Sequence, residues 1–109
     1  METVAVVLSV AADRTEEFEA GFRTHEVPVW TDLRDRGLMT GATLNRLDIS
    51  SRPVEGAVQY LVVAMFATGE GHHAHDEHPG FKAWNEIADR YQVADALAFG
   101  GETVVRMEG

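Results

Sequence analysis

Ala57-Val58-Gln59-Tyr60-Leu61-Val62-Val63-Ala64-Met65-Phe66-Ala67 is the stretch whose reading decides the fold. It is dense in β-branched and aromatic side chains and therefore reads as a strand. Alternation puts Val58, Tyr60, Val62, Ala64 and Phe66 on one face and Gln59, Leu61, Val63, Met65 and Ala67 on the other. Both faces are largely apolar, so both need a cover. The segment from Ser50 to Gly56 before it reads as a polar turn, and Thr68 to Gly71 after it as a loop.

Outward from this strand, Val4 to Val10 is a second β-branched run, and Thr40 to Ile49 alternates weakly enough to predict a further strand. Between them, Asp13 followed by Glu16 marks a helix start with an acidic first turn. Phe18, Phe22, His25, Val29 and Leu33 recur at helical spacing and define the expected core-facing stripe. Pro28 lacks a backbone donor and predicts a kink or break, and Gly37 is the natural stop. A second helix is expected to open at Pro79, with Phe81, Trp84, Ile87 or Ala88, and Tyr91 as its stripe. Gly100-Gly101 reads as a turn, and Thr103 to Met107 as a short last strand. The order is βαββαβ, an α+β ferredoxin-like pattern in a single domain over residues 1–109. Two helices cover one face of such a sheet. A second copy of the chain, packed sheet against sheet, is the economical cover for the other, so a homodimer is expected.

Composition narrows the function. Nine basic against eighteen acidic residues give a formal charge of −9. Tracking a phosphate backbone requires a basic face, so nucleic acid is not an expected partner, nor is an anionic membrane. Cysteine is absent, which removes disulfides, thiolate nucleophiles and zinc–cysteine centres. The longest apolar run is too short to span a bilayer, and no basic segment precedes an apolar start. A cytoplasmic location is the resulting expectation.

Chemistry concentrates in the histidines. Four of the five lie in His72-His73-Ala74-His75-Asp76-Glu77-His78. The composition is one that zinc, iron or nickel could use, but the segment reads as a loop ending at Pro79 rather than as a rigid ligand set. A polar approach to the helix is the better reading, with no bound metal. His75 and His78, three apart before the helix, could open on one pocket and act as acid or base near neutral pH. His25 sits on the predicted stripe beside the Pro28 irregularity, where it could be a packed core residue or reach a ligand between helix and sheet. Trp30, Tyr60, Phe66, Trp84 and Phe99 supply apolar surface for core or pocket. No glycine-rich phosphate loop and no Gly-x-Ser-x-Gly elbow occurs.

The element order, together with His75-Asp76-Glu77-His78-Pro79-Gly80-Phe81-Lys82-Ala83-Trp84, resembles the dimeric α+β barrel superfamily, and most nearly its antibiotic biosynthesis monooxygenase branch. The resemblance implies a cofactor-independent dimer acting on a small organic molecule. Relatives in that superfamily include oxygenases, polyketide cyclases, sugar mutarotases and haem-degrading enzymes. His78-Pro79 matches the His-Pro pair of the plant polyketide cyclases, but His75 stands in place of their tyrosine and Phe81 in place of their catalytic histidine. Asn85 follows Phe81-Lys82-Ala83-Trp84 where the haem-degrading branch has its haem ligand. The first helix is similar to that of the L-rhamnose mutarotases through Glu16-Glu17-Phe18, His25, Pro28, Val29, Trp30 and Leu33, with a one-residue insertion and Phe18 in place of a tyrosine.

The resulting expectation is a cofactor-independent enzyme on a small oxygenated metabolite, polyketide-like or aromatic, working by acid–base chemistry as a cyclase, isomerase or monooxygenase. His25 and His75 would be the acid–base pair, with His78 orienting them. Trp30, Tyr60, Phe66, Trp84 and Phe99 would shape the substrate pocket. The alternatives are a mutarotase-like epimerase and a non-catalytic dimer that binds a small molecule.

Overall fold

The computed structural model describes residues 1–108. Strand β1 (Glu2–Ala11) runs through a short 3-10 turn into helix α1 (Thr15–Asp35). Strands β2 (Met39–Arg46) and β3 (Ala57–Phe66) follow, then helices α2 (Gly69–Glu77) and α3 (Pro79–Asp89), and strand β4 (Leu97–Glu102). The four strands form one sheet in the order β2-β3-β1-β4, every neighbouring pair antiparallel. This is the expected α+β ferredoxin-like βαββαβ arrangement, with its second helical unit in two pieces.

Register explains which face does what. Val6 pairs with Val62 and Ala98, and Val62 pairs with Leu44, so these side chains share the helix-covered face. Val10, Phe18, Phe22, Tyr60, Trp84 and Ala88 form one buried cluster there, and Val29, Leu33, Met39, Ala64 and Phe66 a second. The opposite face carries Ala5, Val7, Leu61, Val63, Met65 and Leu97. At one end of it, Ser9 and Gln59 are buried, and the Gln59 amide donates to Ser9 Oγ and to the Arg52 carbonyl, so the loop before β3 folds over that corner. Among the described residues, no helix covers the rest.

Helix α1 differs from its reading in two ways. It passes through Pro28 without a break. Thr24, whose carbonyl loses its partner, and Pro28 are both exposed, so the lost bond lies on the solvent side of the helix. The core stripe is Phe18, Phe22, Glu26, Val29 and Leu33; His25 is exposed and Glu26 takes the buried position. The helix proper begins at Thr15 after the 3-10 turn, with no side-chain cap from Asp13, and ends where Gly37 adopts φ 75°.

Two further expectations are corrected. The histidine-rich segment is a helix, α2, and not a loop. Its missing signal is apolar periodicity, because Ala74 is its one hydrophobic side chain. It docks through Gly71, which is buried, while the backbone of Ala67 donates to the Leu38 carbonyl. The last strand is Leu97–Glu102, not Thr103 to Met107. Gly100 and Gly101 do not turn; they pair with Val4 and Thr3. The hydroxyls of Thr103 and Thr3 lie 2.9 Å apart, and beyond them Val104, Val105 and Met107 stand exposed outside the sheet.

The seat of α2 generates a test. A Cβ on Gly71 would lie 2.4 Å from the Leu38 carbonyl oxygen and 3.1 Å from the Phe66 ring. Gly71→Ala is expected to cost about 1–3 kcal/mol through overpacking, a drop in Tm of several degrees for a domain of this size. An unchanged or raised Tm, as for alanine in an open helix position, would contradict this packing.

Candidate functional site

A cavity of about 430 Å³ lies between the sheet and the helices. Its floor is Val4, Val6, Leu8, Val62, Ala64 and Phe66, and its helical walls include Phe22, Trp30, Phe81 and Trp84. The volume falls in the range of small-ligand pockets. Ala96, Ala98 and Gly100 also border it and are exposed, so it opens along the β4 edge.

Glu26 and His75 are the most buried charged or titratable groups on this wall, which also carries His72, Asp76, Asn85, Asp89 and Gln92. Glu26 is 4% exposed. His75 Nε2 lies 2.7 Å from Glu26 Oε1, and His75 Nδ1 lies 3.1 Å from Asp76 Oδ1. Phe81 packs on the His75 ring at 4.3 Å between centroids, and Phe66 at 6.1 Å. Burial pushes the His75 imidazolium toward losing its proton. The hydrogen bond and charge of Glu26, joined by Asp76, outweigh that burial and raise His75 above its ordinary value. The pair joins α1 to α2, so both the site and the helix packing rest on it.

The other expected site residues fall in different places. His25 is exposed and stacked on the Trp84 indole at 5.5 Å, and it does not line the cavity. One turn of helix is 3.6 residues, so the step of four from Phe22 lands on Glu26 and the step of three leaves His25 outside. The expected His25–His75 pair is therefore not assembled, and a mutarotase-like reading that depends on His25 loses its residue. His78 caps α3: its Nδ1 accepts from the Gly80 N–H at 3.0 Å, which leaves the proton on Nε2, 3.1 Å from Asp32 Oδ2. It clamps α3 to α1 and does not line the cavity. His72 does line it, stacked on Phe66 at 5.5 Å, with its ring nitrogens 2.7 Å from Glu2 Oε1 and 3.2 Å from Asp76 Oδ2.

Among the expected pocket aromatics, Trp30, Phe66 and Trp84 line the cavity. Phe99 borders it, but pairing with Ala5 turns its ring to the open sheet face, where it is 62% exposed. Tyr60 lines a separate groove with Glu19, Arg23 and Arg46. Its hydroxyl donates to Glu19, which also takes the Arg46 guanidinium. Burial and the Glu19 bond push the Tyr60 hydroxyl up to about 12, so it is a donor and not a base. Sequence reasoning missed Glu26. Its signal was available, since 18, 22, 26, 29 and 33 is as good a helical stripe as one through His25, but an acid was not admitted to a core position. Among the described residues, no group of three or more His, Asp or Glu side chains is arranged to hold a metal ion. No helix there is long and apolar enough to cross a membrane.

The fold recurs in solved structures. A provisionally named antibiotic biosynthesis monooxygenase of Nitrosomonas europaea superposes with a TM-score of 0.77 at 13% identity, over 96% of this chain and 100% of that one. HapK from Hahella chejuensis gives 0.71 at 18% identity, over 100% and 98% of the two chains. SnoaB, a cofactor-independent oxygenase from Streptomyces nogalater, gives 0.66 at 13% identity, over 99% and 98%. The chain thus shares its α+β fold with these structures. No family model and no curated protein matches its sequence.

The raised His75 has a consequence for stability. Its native value lies above the unfolded value of 6.5, so its contribution is full below that pH and is lost as pH rises through the native value. In denaturant titrations across neutral and mildly alkaline pH, the stability advantage of wild type over His75→Gln is expected to shrink as pH rises. An advantage that stays flat or grows would contradict the Glu26–His75 pairing.

Proposed function

We propose that the chain is a cofactor-independent enzyme that abstracts a proton from a small aromatic or polyketide-like metabolite. The observation that carries the reading is the buried Glu26 carboxylate, hydrogen-bonded to His75 on the wall of a mostly apolar, aromatic-lined cavity. Such a cavity takes a flat, weakly polar molecule, and an acid–base group in it is worth about 10²–10⁴-fold in rate. Glu26 would accept the proton of an activated methylene or phenol, and His75 would hold the charge balance. Trp30, Phe66 and Trp84 would hold the rings.

The fate of the anion defines the class. A carbanion flanked by aromatic rings can react with O₂; an activated CH₂ and O₂ then give C=O and H₂O, the substrate supplying every electron. This monooxygenase reading is supported by the likeness in fold to a cofactor-independent oxygenase. Ring closure or isomerisation would follow from the same anion in a substrate with an internal electrophile.

The assay uses anthrone, an aromatic ketone with an acidic methylene, in an oxygen electrode without added flavin or metal. Wild type is expected to consume O₂ above background, and Glu26→Gln to lose at least about a hundredfold of that rate while still binding the probe, read by tryptophan quenching. Binding without turnover by wild type would favour the non-catalytic small-molecule-binding dimer instead.

The same reading includes a homodimer. The uncovered face of Ala5, Val7, Leu61, Val63, Met65 and Leu97 is too apolar to remain in water, at about 25 cal/mol for each Å² left exposed. Light scattering at micromolar concentration is expected to give twice the chain mass. Val63→Glu, centred on that face, is expected to shift it toward monomer. A wild-type monomer would remove the sheet-to-sheet association.

A further inference from the structure

The Glu26–His75 pair does not end at the cavity. His75 presents its second nitrogen to Asp76 Oδ1 at 3.1 Å, and the other oxygen of Asp76 lies 3.2 Å from His72 Nε2. His72 Nδ1 in turn sits 2.7 Å from Glu2 Oε1. Carboxylate and imidazole therefore alternate from Glu26 through His75, Asp76 and His72 to Glu2. Solvent exposure along this line peaks at Asp76: the side chain of Glu26 is 5% exposed, that of His75 14%, that of Asp76 50%, and those of His72 and Glu2 38% and 30%. The aromatic rings of Phe66 and Phe81 pack the remaining sides of His75. The acidic and basic groups that face it are Glu26 from α1 and Asp76 from its own helix, with His72 and Glu2 beyond Asp76.

We propose that Asp76 is the positioning and proton-exchange residue of this site: it turns His75 so that Nε2 addresses Glu26, and it gives the buried pair its path to solvent. This inference rests on the acid–base reading of the cavity, but its test needs no substrate. The step balances simply. A proton taken up by Glu26 would leave a protonated acid beside an imidazolium in an apolar wall. Transfer of the Nδ1 proton from His75 to Asp76, and from Asp76 to water, leaves His75 neutral and restores the Asp76 carboxylate. One proton enters at Glu26 and one leaves at Asp76, so the Glu26–His75 pair itself stays neutral. A neutral acceptor at residue 76 can orient the ring but cannot carry the proton.

The experiment follows the His75 ring protons by nitrogen-15 NMR in the full chain, without ligand. In wild type, Nδ1–H is expected to exchange with water through Asp76. Asp76→Asn keeps an acceptor in place and is expected to slow that exchange at least about tenfold, while the Nε2 resonance still reports its bond to Glu26. Asp76→Glu restores a proton carrier and is expected to bring the rate back to within a few-fold of wild type. Thermal melts establish that each variant is folded, and Asp76→Ser takes the same readings if the asparagine variant is not. Unchanged or faster exchange in folded Asp76→Asn or Asp76→Ser would overturn the proposal and leave the oxygen-uptake test of Glu26 untouched. A normal exchange pattern with no O₂ uptake would do the reverse.

Discussion

A carboxylate buried in an apolar wall has to be paired, and the pairing of Glu26 with His75 is the constraint on which the helical layer depends. Leaving Glu26 alone would cost several kcal/mol. Pairing it requires α2 to lie against α1 with His75 turned inward. That in turn requires α2 to approach the β2–β3 corner closely, which Gly71 permits. The same contact that holds two helices together also places an imidazole and a carboxylate at the edge of a cavity. One interaction therefore both joins the helices and carries the proposed chemistry.

Around this contact the sequence distributes its residues by layer. The even positions of β1 and β3 face the helices, close the aromatic cluster of Phe18, Phe22, Tyr60 and Trp84, and leave room beneath Trp30 and Phe81. Among the odd positions, Ala5, Val7, Leu61, Val63 and Met65 carry apolar side chains to the opposite face. His78, at the junction of α2 and α3, spends both ring nitrogens on Gly80 and Asp32. It fixes the break between the helices, which Pro79 imposes by keeping His78 extended at ψ 128°.

Much of the fold was legible because strands and long helices leave strong periodic signals. The double-sided apolar run of β3 and the Phe18–Leu33 stripe were enough for the βαββαβ order. What failed did so for physical reasons. Helix α2 is short and nearly without apolar residues, and it is held by side chains from other elements, so no local pattern announces it. Gly100-Gly101 looks like a turn, but tertiary pairing with β1 keeps it extended. In the site, His75 was legible from its place before Pro79, whereas Glu26 was hidden behind the assumption that an apolar stripe excludes acids. The choice between His25 and Glu26 turns on a rotation of about one residue, which the stripe alone does not fix.

The central claim is that Glu26, supported by His75, removes a proton from a substrate in this cavity. Deuterium exchange tests it most directly, because it isolates proton removal from whatever follows. Anthrone would be incubated anaerobically with the protein in D₂O, and deuterium at its methylene carbon followed by mass spectrometry. The account predicts exchange well above the buffer rate for wild type and a return to near that rate for Glu26→Gln. Exchange at the buffer rate with wild type, in spite of bound anthrone, or equal exchange in wild type and Glu26→Gln, would contradict it.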